Sequence, residues 1–178
     1  MSMRRTAGRA ATLALVLGAG AALAETPNLG RPVSEADIAA WDISILPDGT
    51  GLPAGSGTAA QGAAVYAQKC AFCHGDKAEG RPPYTRLIGG GPITSISAAE
   101  KTIANFYPYA TTLFDFIRRA MPWQQPRTLS NDEVYALVAF VLAGNKLIGE
   151  GEAMNAQSLP KVRMPNREGF IPRFPEKM

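Results

Sequence analysis

Both cysteines and the single histidine of this 178-residue chain fall within five consecutive residues, Cys70-Ala71-Phe72-Cys73-His74. This C-x-x-C-H spacing is typical of c-type haem attachment. Two thiols three positions apart at the end of a helix reach the two vinyl carbons on one haem edge and form thioethers with them. The next residue then presents a ring nitrogen to the iron. The motif therefore predicts one haem c, covalently held by Cys70 and Cys73, with His74 as an axial ligand.

Three other functions of such a motif explain the presence of its residues less completely than haem attachment does. A thioredoxin-like C-x-x-C requires a βαβ setting, whereas the flanking sequence has helical spacing. A structural zinc site requires four ligands, and two cysteines with one histidine do not supply them. A disulfide suits an exported protein but leaves His74 without a role.

The iron of a haem has a second axial position, and a thioether there raises the reduction potential. The candidates after the first 24 residues are Met121, Met154, Met164 and Met178. Met121 is preferred because Pro122 prevents a preceding helix from continuing, so that a loop projects the sulfur. Met164 and then Met154 are the alternatives. Core packing, the common role of methionine, is the competing interpretation for Met121.

Residues 1–24 have the pattern of an export signal. Three arginines within the first nine residues precede an apolar stretch at 10–23, and Ala22-Leu23-Ala24 forms a small-x-small cleavage site. The apolar stretch is shorter than the length that a helix needs to span a bilayer. We therefore expect a mature protein that is periplasmic and does not span the membrane. The formal net charge of +3 belongs to this leader, so the mature chain lacks the basic footprint of a nucleic-acid-binding protein.

The rest of the sequence predicts helices between two arms rich in proline and glycine. The predicted helices are Ser34–Trp41, Ala59–Ala71, 97–106, Thr111–Ala120 and Asn131–Ala143. These define an all-α domain at 58–145, an N-terminal arm at 25–57 and a C-terminal arm at 146–178. Gly62 lies inside the first core helix, where the close approach of another helix would explain it. We expect the arms to order against a larger subunit.

Together these features resemble the class I cytochromes c over about residues 58–145. The resemblance rests on the Gly62 and Tyr66 helix, the haem motif, the proline-bearing loop, Met121-Pro122 and the capped last helix. It implies that the first and last core helices cross near Gly62.

The same resemblance implies a hydrogen bond that orients the proximal imidazole. In the family, a proline carbonyl early in the loop accepts this bond from the histidine Nδ1–H. Pro83 is the candidate acceptor here, with Pro82 as the alternative.

A narrower resemblance is to the monohaem cytochrome subunits of periplasmic molybdenum sulfite and sulfane dehydrogenases. It rests on residues 41–61, on Tyr107–Pro122 and on the tail Leu159–Arg167. It implies a sulfur-oxidising bacterium and an electron-transfer protein that is not itself an enzyme. Its donor would be a molybdopterin-containing dehydrogenase subunit, and its acceptor a downstream cytochrome or oxidase. Some relatives carry a second haem domain, whereas this chain has a single C-x-x-C-H motif.

Two other functions remain open from the sequence. One is a freely diffusing cytochrome c shuttle for another periplasmic dehydrogenase or a terminal oxidase. The other is a catalytic or gas-binding haem protein with a labile sixth ligand. Iron held by His74 and Met121 has no open position, which favours one-electron outer-sphere transfer.

Overall fold

The computed structural model describes residues 29–93, 95, 97 and 100–171. The predicted leader at 1–24 and the alternative ligand Met178 lie outside the described residues. The described elements, in chain order, are α1 Glu35–Trp41, β1 Ser56–Thr58, α2 Ala59–Lys69, α3 Ala71–His74, α4 Ile103–Phe106, α5 Ala110–Ala120, α6 Asn131–Gly144, β2 Ala153–Asn155 and a 3₁₀ turn at Leu159–Lys161. The chain divides into two units, one ending at Asp42 and one beginning at Ile43.

The N-terminal unit contributes one described helix, α1, whose ends were predicted to within one residue. The Ser34 side chain accepts from the Asp37 N–H, and the Asp37 carboxylate accepts from the Ser34 N–H, which forms a capping box. Hydrogen bonds from Ser34 lower the pKa of Asp37. The start of this helix is thus encoded locally.

The second unit is organised by the crossing of α2 and α6. Gly62 is buried at the crossing, where a Cβ would collide with the carbonyl of Ala136. The rings of Tyr66 and Phe140 meet beside it, with centroids 4.8 Å apart. The prediction that Gly62 permits the close approach of another helix is therefore confirmed.

Helix α6 forms the centre of the core, and α5 packs against it. The Ser130 hydroxyl and the Glu133 side chain form the predicted capping box at the start of α6. Helix α6 is buried around most of its circumference, which suits its largely apolar sequence. Helix α5 buries Leu113, Phe114 and Ile117.

A two-stranded antiparallel sheet, absent from the sequence-based prediction, joins the two arms. Strand β1 pairs with β2 in the register Gly57↔Met154. Strands of three residues are too short to show the alternation that identifies strands in a sequence. Beyond β2, Met154, Leu159 and Met164 are buried in the core. The described part of the C-terminal arm therefore packs on its own chain, which differs from the expectation that it orders on a larger subunit.

Two predicted helices are shorter than expected. Helix α2 ends at Lys69 because the backbone angles of Cys70 depart from helical values. The next turn of the chain forms the separate helix α3. Of the helix predicted at 97–106, residues 98 and 99 lie outside the described residues, and among the described ones only α4, capped by Thr102, is helical. Within the part of the chain that the structure describes, no helix combines the length and apolarity needed to cross a bilayer.

Candidate functional site

The two cysteines and the histidine lie on one tight turn at the wall of a cleft. Cys70 ends α2 and precedes α3, and its carbonyl accepts from the N–H groups of Cys73 and His74 at 3.1 and 3.0 Å. Gly75, with φ 84°, ends the turn. All three motif side chains line a cleft of about 390 Å³, a volume within the range of cofactor sites.

The cysteines are two free thiols rather than a disulfide. Burial raises the pKa of the Cys70 thiol to about 11. At neutral pH this thiol is therefore protonated. The absence of a bond between the cysteines leaves both sulfurs available to a group in the cleft.

The imidazole of His74 is oriented by a backbone carbonyl. Its Nδ1 lies 2.9 Å from the carbonyl oxygen of Thr85. A carbonyl only accepts, so Nδ1 is the donor, and in the neutral ring the lone pair then lies on Nε2. This is the arrangement of a histidine prepared to bind a metal through Nε2.

The acceptor of this bond is not the predicted one. Pro83, or alternatively Pro82, was expected, but the structure pairs His74 with Thr85. The two prolines occupy the middle of a turn closed by hydrogen bonds between Arg81 and Tyr84, at 3.1 and 2.6 Å. The carbonyl that accepts from the imidazole therefore belongs to a residue after the turn. Pro83 itself does line the cleft.

Met121 lines the same cleft as the haem motif. It is the C-cap of α5, with extended backbone, and Pro122 follows it as predicted. By contrast, Met154 and Met164 are each 1% exposed in the core and do not line the cleft. Among the described methionines, the structure thus brings only Met121 together with Cys70, Cys73 and His74.

The remaining walls of the cleft are largely apolar, with basic side chains among them. The basic residues are Lys69, Arg86 and Lys101. Arg86 pairs with Glu100 at 2.9 Å, and Lys69 with Glu133 at 2.6 Å. The apolar side chains are Leu87, Ile103, Phe106, Leu113, Phe116, Ile117, Leu129, Leu137 and Val141. Two thiols, an imidazole nitrogen and a thioether within apolar walls fit a haem, whose ring is apolar and whose carboxylates are anionic.

Tyr66 ties the first core helix to the haem motif. Its hydroxyl donates to the Gly75 carbonyl at 2.6 Å. Burial raises the pKa of Tyr66 to about 12, so the hydroxyl remains a donor throughout the physiological range. The sequence suggested packing for this ring, but a bond to a backbone carbonyl leaves no sequence signal.

Replacing Tyr66 with phenylalanine is expected to lower the free energy of unfolding by about 1 kcal/mol, because the Gly75 carbonyl loses its donor. Denaturant titration measures this change. Tyr84→Phe is the matched control, since that ring is 45% exposed, and it should change stability by no more than a few tenths of a kcal/mol. Equal stabilities for the Tyr66 variant and the unmodified protein would contradict the prediction.

Two aromatic side chains lie at the mouth of the cleft. Trp123 is 76% exposed and Phe116 45% exposed, and both line the cleft. The structure places both at the border between the cleft and solvent.

The chain matches one protein-family model and is similar to a solved structure. Residues 57–141 match a family model described as cytochrome C oxidase, cbb3-type, subunit III. The chain is also similar to a chain in the crystal structure of the sulfane dehydrogenase SoxCD from Paracoccus pantotrophus. The two share 39% sequence identity with a TM-score of 0.76, over 85% of this chain and 75% of the other. No match was found among curated proteins.

Proposed function

The chain belongs to the c-type cytochromes, and on this premise we propose that it is a periplasmic electron carrier with a single, covalently bound haem. One observation carries the proposal: Cys70, Cys73, His74 and Met121 all line one cleft. The haem, when bound, supplies a one-electron couple between ferric and ferrous iron.

The residues of the cleft have distinct roles in this proposal. The thiols of Cys70 and Cys73 would hold the cofactor covalently. His74 would offer Nε2 to the iron, and the Thr85 carbonyl keeps the imidazole in the required tautomer. Met121 would offer its thioether to the iron. With both ligands in place the site would have no room for a substrate, and the chain would act in electron transfer rather than as an enzyme.

Spectroelectrochemical titration of the exported protein tests this function. We expect a single wave with the slope of a one-electron couple. Carbon monoxide added to the reduced protein tests the gas-binding alternative, since methionine ligation predicts slow binding. Rapid binding without denaturant would contradict the electron-carrier function and favour a labile sixth ligand.

We further propose that the electron donor is a molybdenum-containing dehydrogenase subunit acting on reduced sulfur compounds. The support is the similarity to a chain of a sulfane dehydrogenase at 39% identity. The freely diffusing shuttle is the alternative. Pull-down of the mature protein from its native periplasm separates them, since a stable complex with a molybdopterin protein is expected only from the first.

The N-terminal unit offers a docking element for that dehydrogenase subunit. Ile38 and Trp41 lie three positions apart on α1, hence on one face, and are 52% and 87% exposed. The similarity to the solved structure covers 85% of this chain. The unit that begins at Ile43 contains only about three quarters of the residues of the chain. The match therefore includes part of the N-terminal unit, which supports a shared role for this segment.

Substituting Ile38 and Trp41 together with alanine is expected to weaken binding to the dehydrogenase subunit at least roughly tenfold, because buried tryptophans dominate many interfaces. Titration calorimetry measures the change. The control is Leu46→Ala, at a residue 49% exposed in the second unit, which should bind as the unmodified protein does. Unchanged affinity of the double variant would exclude α1 from the interface.

Export is proposed from the leader at 1–24. Its removal after Ala24 would place Glu25 at the mature N-terminus. N-terminal sequencing of periplasmic material is expected to begin there.

A further inference from the structure

One wall of the cleft is a short segment with little support of its own. Thr102, Ile103, Phe106 and Tyr107 line the cleft and belong to α4 or its caps. A helix of four residues is not stable alone, because a first turn fixes many dihedral angles for few hydrogen bonds. Its last carbonyls also lack intrahelical partners. The position of this wall must therefore be fixed by contacts from elsewhere.

Residues 166–170 supply several of those contacts, in addition to the bonds from Asn105 to the Gly91 and Glu100 carbonyls, and we call this segment the C-terminal clamp. The Asn166 amide Nδ2 donates to the carbonyl of Phe106 at 2.7 Å, across 60 positions of sequence. The Phe170 ring meets the Phe106 ring edge-on, with centroids 5.4 Å apart and planes at 68°. The Arg167 guanidinium lies 4.7 Å from the centroid of the Tyr109 ring, a cation–π distance.

The C-terminal clamp is itself fixed to the core. Val162 and Met164, which precede it, are buried. The Arg167 N–H donates to the Met164 carbonyl, and the Gly169 N–H to the Asn166 carbonyl, both at 3.1 Å. A displacement of the α4 wall would thus have to break contacts with a segment that the core holds in place.

We propose that the C-terminal clamp is a positioning element of the cofactor cleft, which holds the α4 wall closed and limits the access of water and small ligands. The clamp lies outside residues 57–141, the part that the family model matches. The inference rests on the proposed function, since it takes the occupant of the cleft to be a haem. It assigns to part of the C-terminal arm a role within its own chain.

The test compares clamp variants of the full-length, haem-loaded protein. Asn166→Asp keeps the shape of the side chain but removes the donor to Phe106, and Phe170→Ala removes the ring contact. Arg163→Gln is the matched control, because Arg163 is exposed in the same arm and precedes the clamp. The readouts are the rate at which imidazole binds the ferric protein, the midpoint potential, and hydrogen exchange of residues 102–109.

Each clamp variant is expected to bind imidazole roughly fivefold faster, the factor that corresponds to the loss of one ordinary hydrogen bond or of one aromatic ring pair. The midpoint potential should fall, since greater exposure to water favours the more highly charged ferric site. Exchange at residues 102–109 should accelerate in both variants. The Arg163→Gln protein should match the unmodified protein in all three measurements.

Unchanged imidazole rates and potentials in both clamp variants would overturn the proposal, even if their melting temperatures fell, because the clamp would then serve stability alone. Equal effects in the Arg163 control would overturn it as well. Failure of the proposed function is distinguishable, since the unmodified protein would then lack a haem. In that event hydrogen exchange at 102–109 in the Asn166→Asp protein still decides whether the clamp holds the wall.

Discussion

Replacing Met121 with alanine is expected to abolish the ferric methionine–iron charge-transfer band and to lower the midpoint potential by on the order of 0.1 V or more. Axial ligands set haem potentials over a range of about 0.8 V. A thioether favours ferrous iron, so its loss stabilises the ferric state. The vacated position should also bind carbon monoxide rapidly in the reduced protein. Visible spectroscopy and a redox titration measure both effects.

Met154→Ala is the matched control for this variant. Met154 is buried in the core at 1% exposure and does not line the cleft. Its truncation should cost roughly 2–5 kcal/mol of stability, as for other buried side chains, while the band and the potential stay unchanged. A Met121→Ala protein that retained the band, or a Met154→Ala protein that lost it, would overturn the ligand assignment.

The second large effect is expected from Gly62→Ala, which should destabilise the fold by roughly 2 kcal/mol or more. The added Cβ would collide with the carbonyl of Ala136 and come within 2.8 Å of the Phe140 Cβ. Overpacking of this kind costs about 1–3 kcal/mol and sometimes more. Better helix propensity offsets only about 1 kcal/mol. Because backbone atoms receive the clash, the two helices must move apart.

Separation of these helices should also affect the cofactor site, since Tyr66 and Leu137 line the cleft from α2 and α6. We therefore expect a smaller fraction of the exported Gly62 variant to acquire haem than of the unmodified protein. Gly91→Ala is the control, because nothing lies within 4 Å of the added Cβ at that position. Thermal unfolding measures the change, and equal melting temperatures for the two variants would contradict the close-crossing explanation.

The sequence predicts that Cys70, Cys73, His74 and Met121 belong to one site, and all four line one cleft, because this prediction depends on side-chain type and local spacing. The C-x-x-C-H pattern places its three side chains on one turn. The capping boxes at Ser34 and Ser130 are equally local, and both helices begin within one residue of their predicted starts. Features of this kind require no knowledge of the rest of the fold.

Features that depend on backbone atoms or long-range contacts were not accessible in the same way. The carbonyl that orients His74 belongs to Thr85 rather than to Pro83, and any residue supplies a carbonyl. Which carbonyl reaches the imidazole depends on the turn that the prolines form. The resemblance to the family offered only Pro82 and Pro83 as acceptors, so it did not identify Thr85.

The arms illustrate the same limit on a larger scale. Proline- and glycine-rich segments have weak periodicity, so the sequence set the domain boundaries at 58 and 145. The structure instead pairs β1 with β2 and buries Met154 and Met164. It also places Asn166 on the carbonyl of Phe106. These contacts join residues far apart in sequence, and the pattern of residues within a short segment does not indicate them.

Extraction with acidified organic solvent shows whether Cys70 and Cys73 hold a haem covalently. The exported, purified protein is treated with the solvent, and mass spectrometry is applied to the polypeptide. We expect the colour to stay with the protein and the peptide containing residues 70–74 to carry the mass of one haem. Colourless protein, or pigment that passes entirely into the solvent, would exclude covalent attachment.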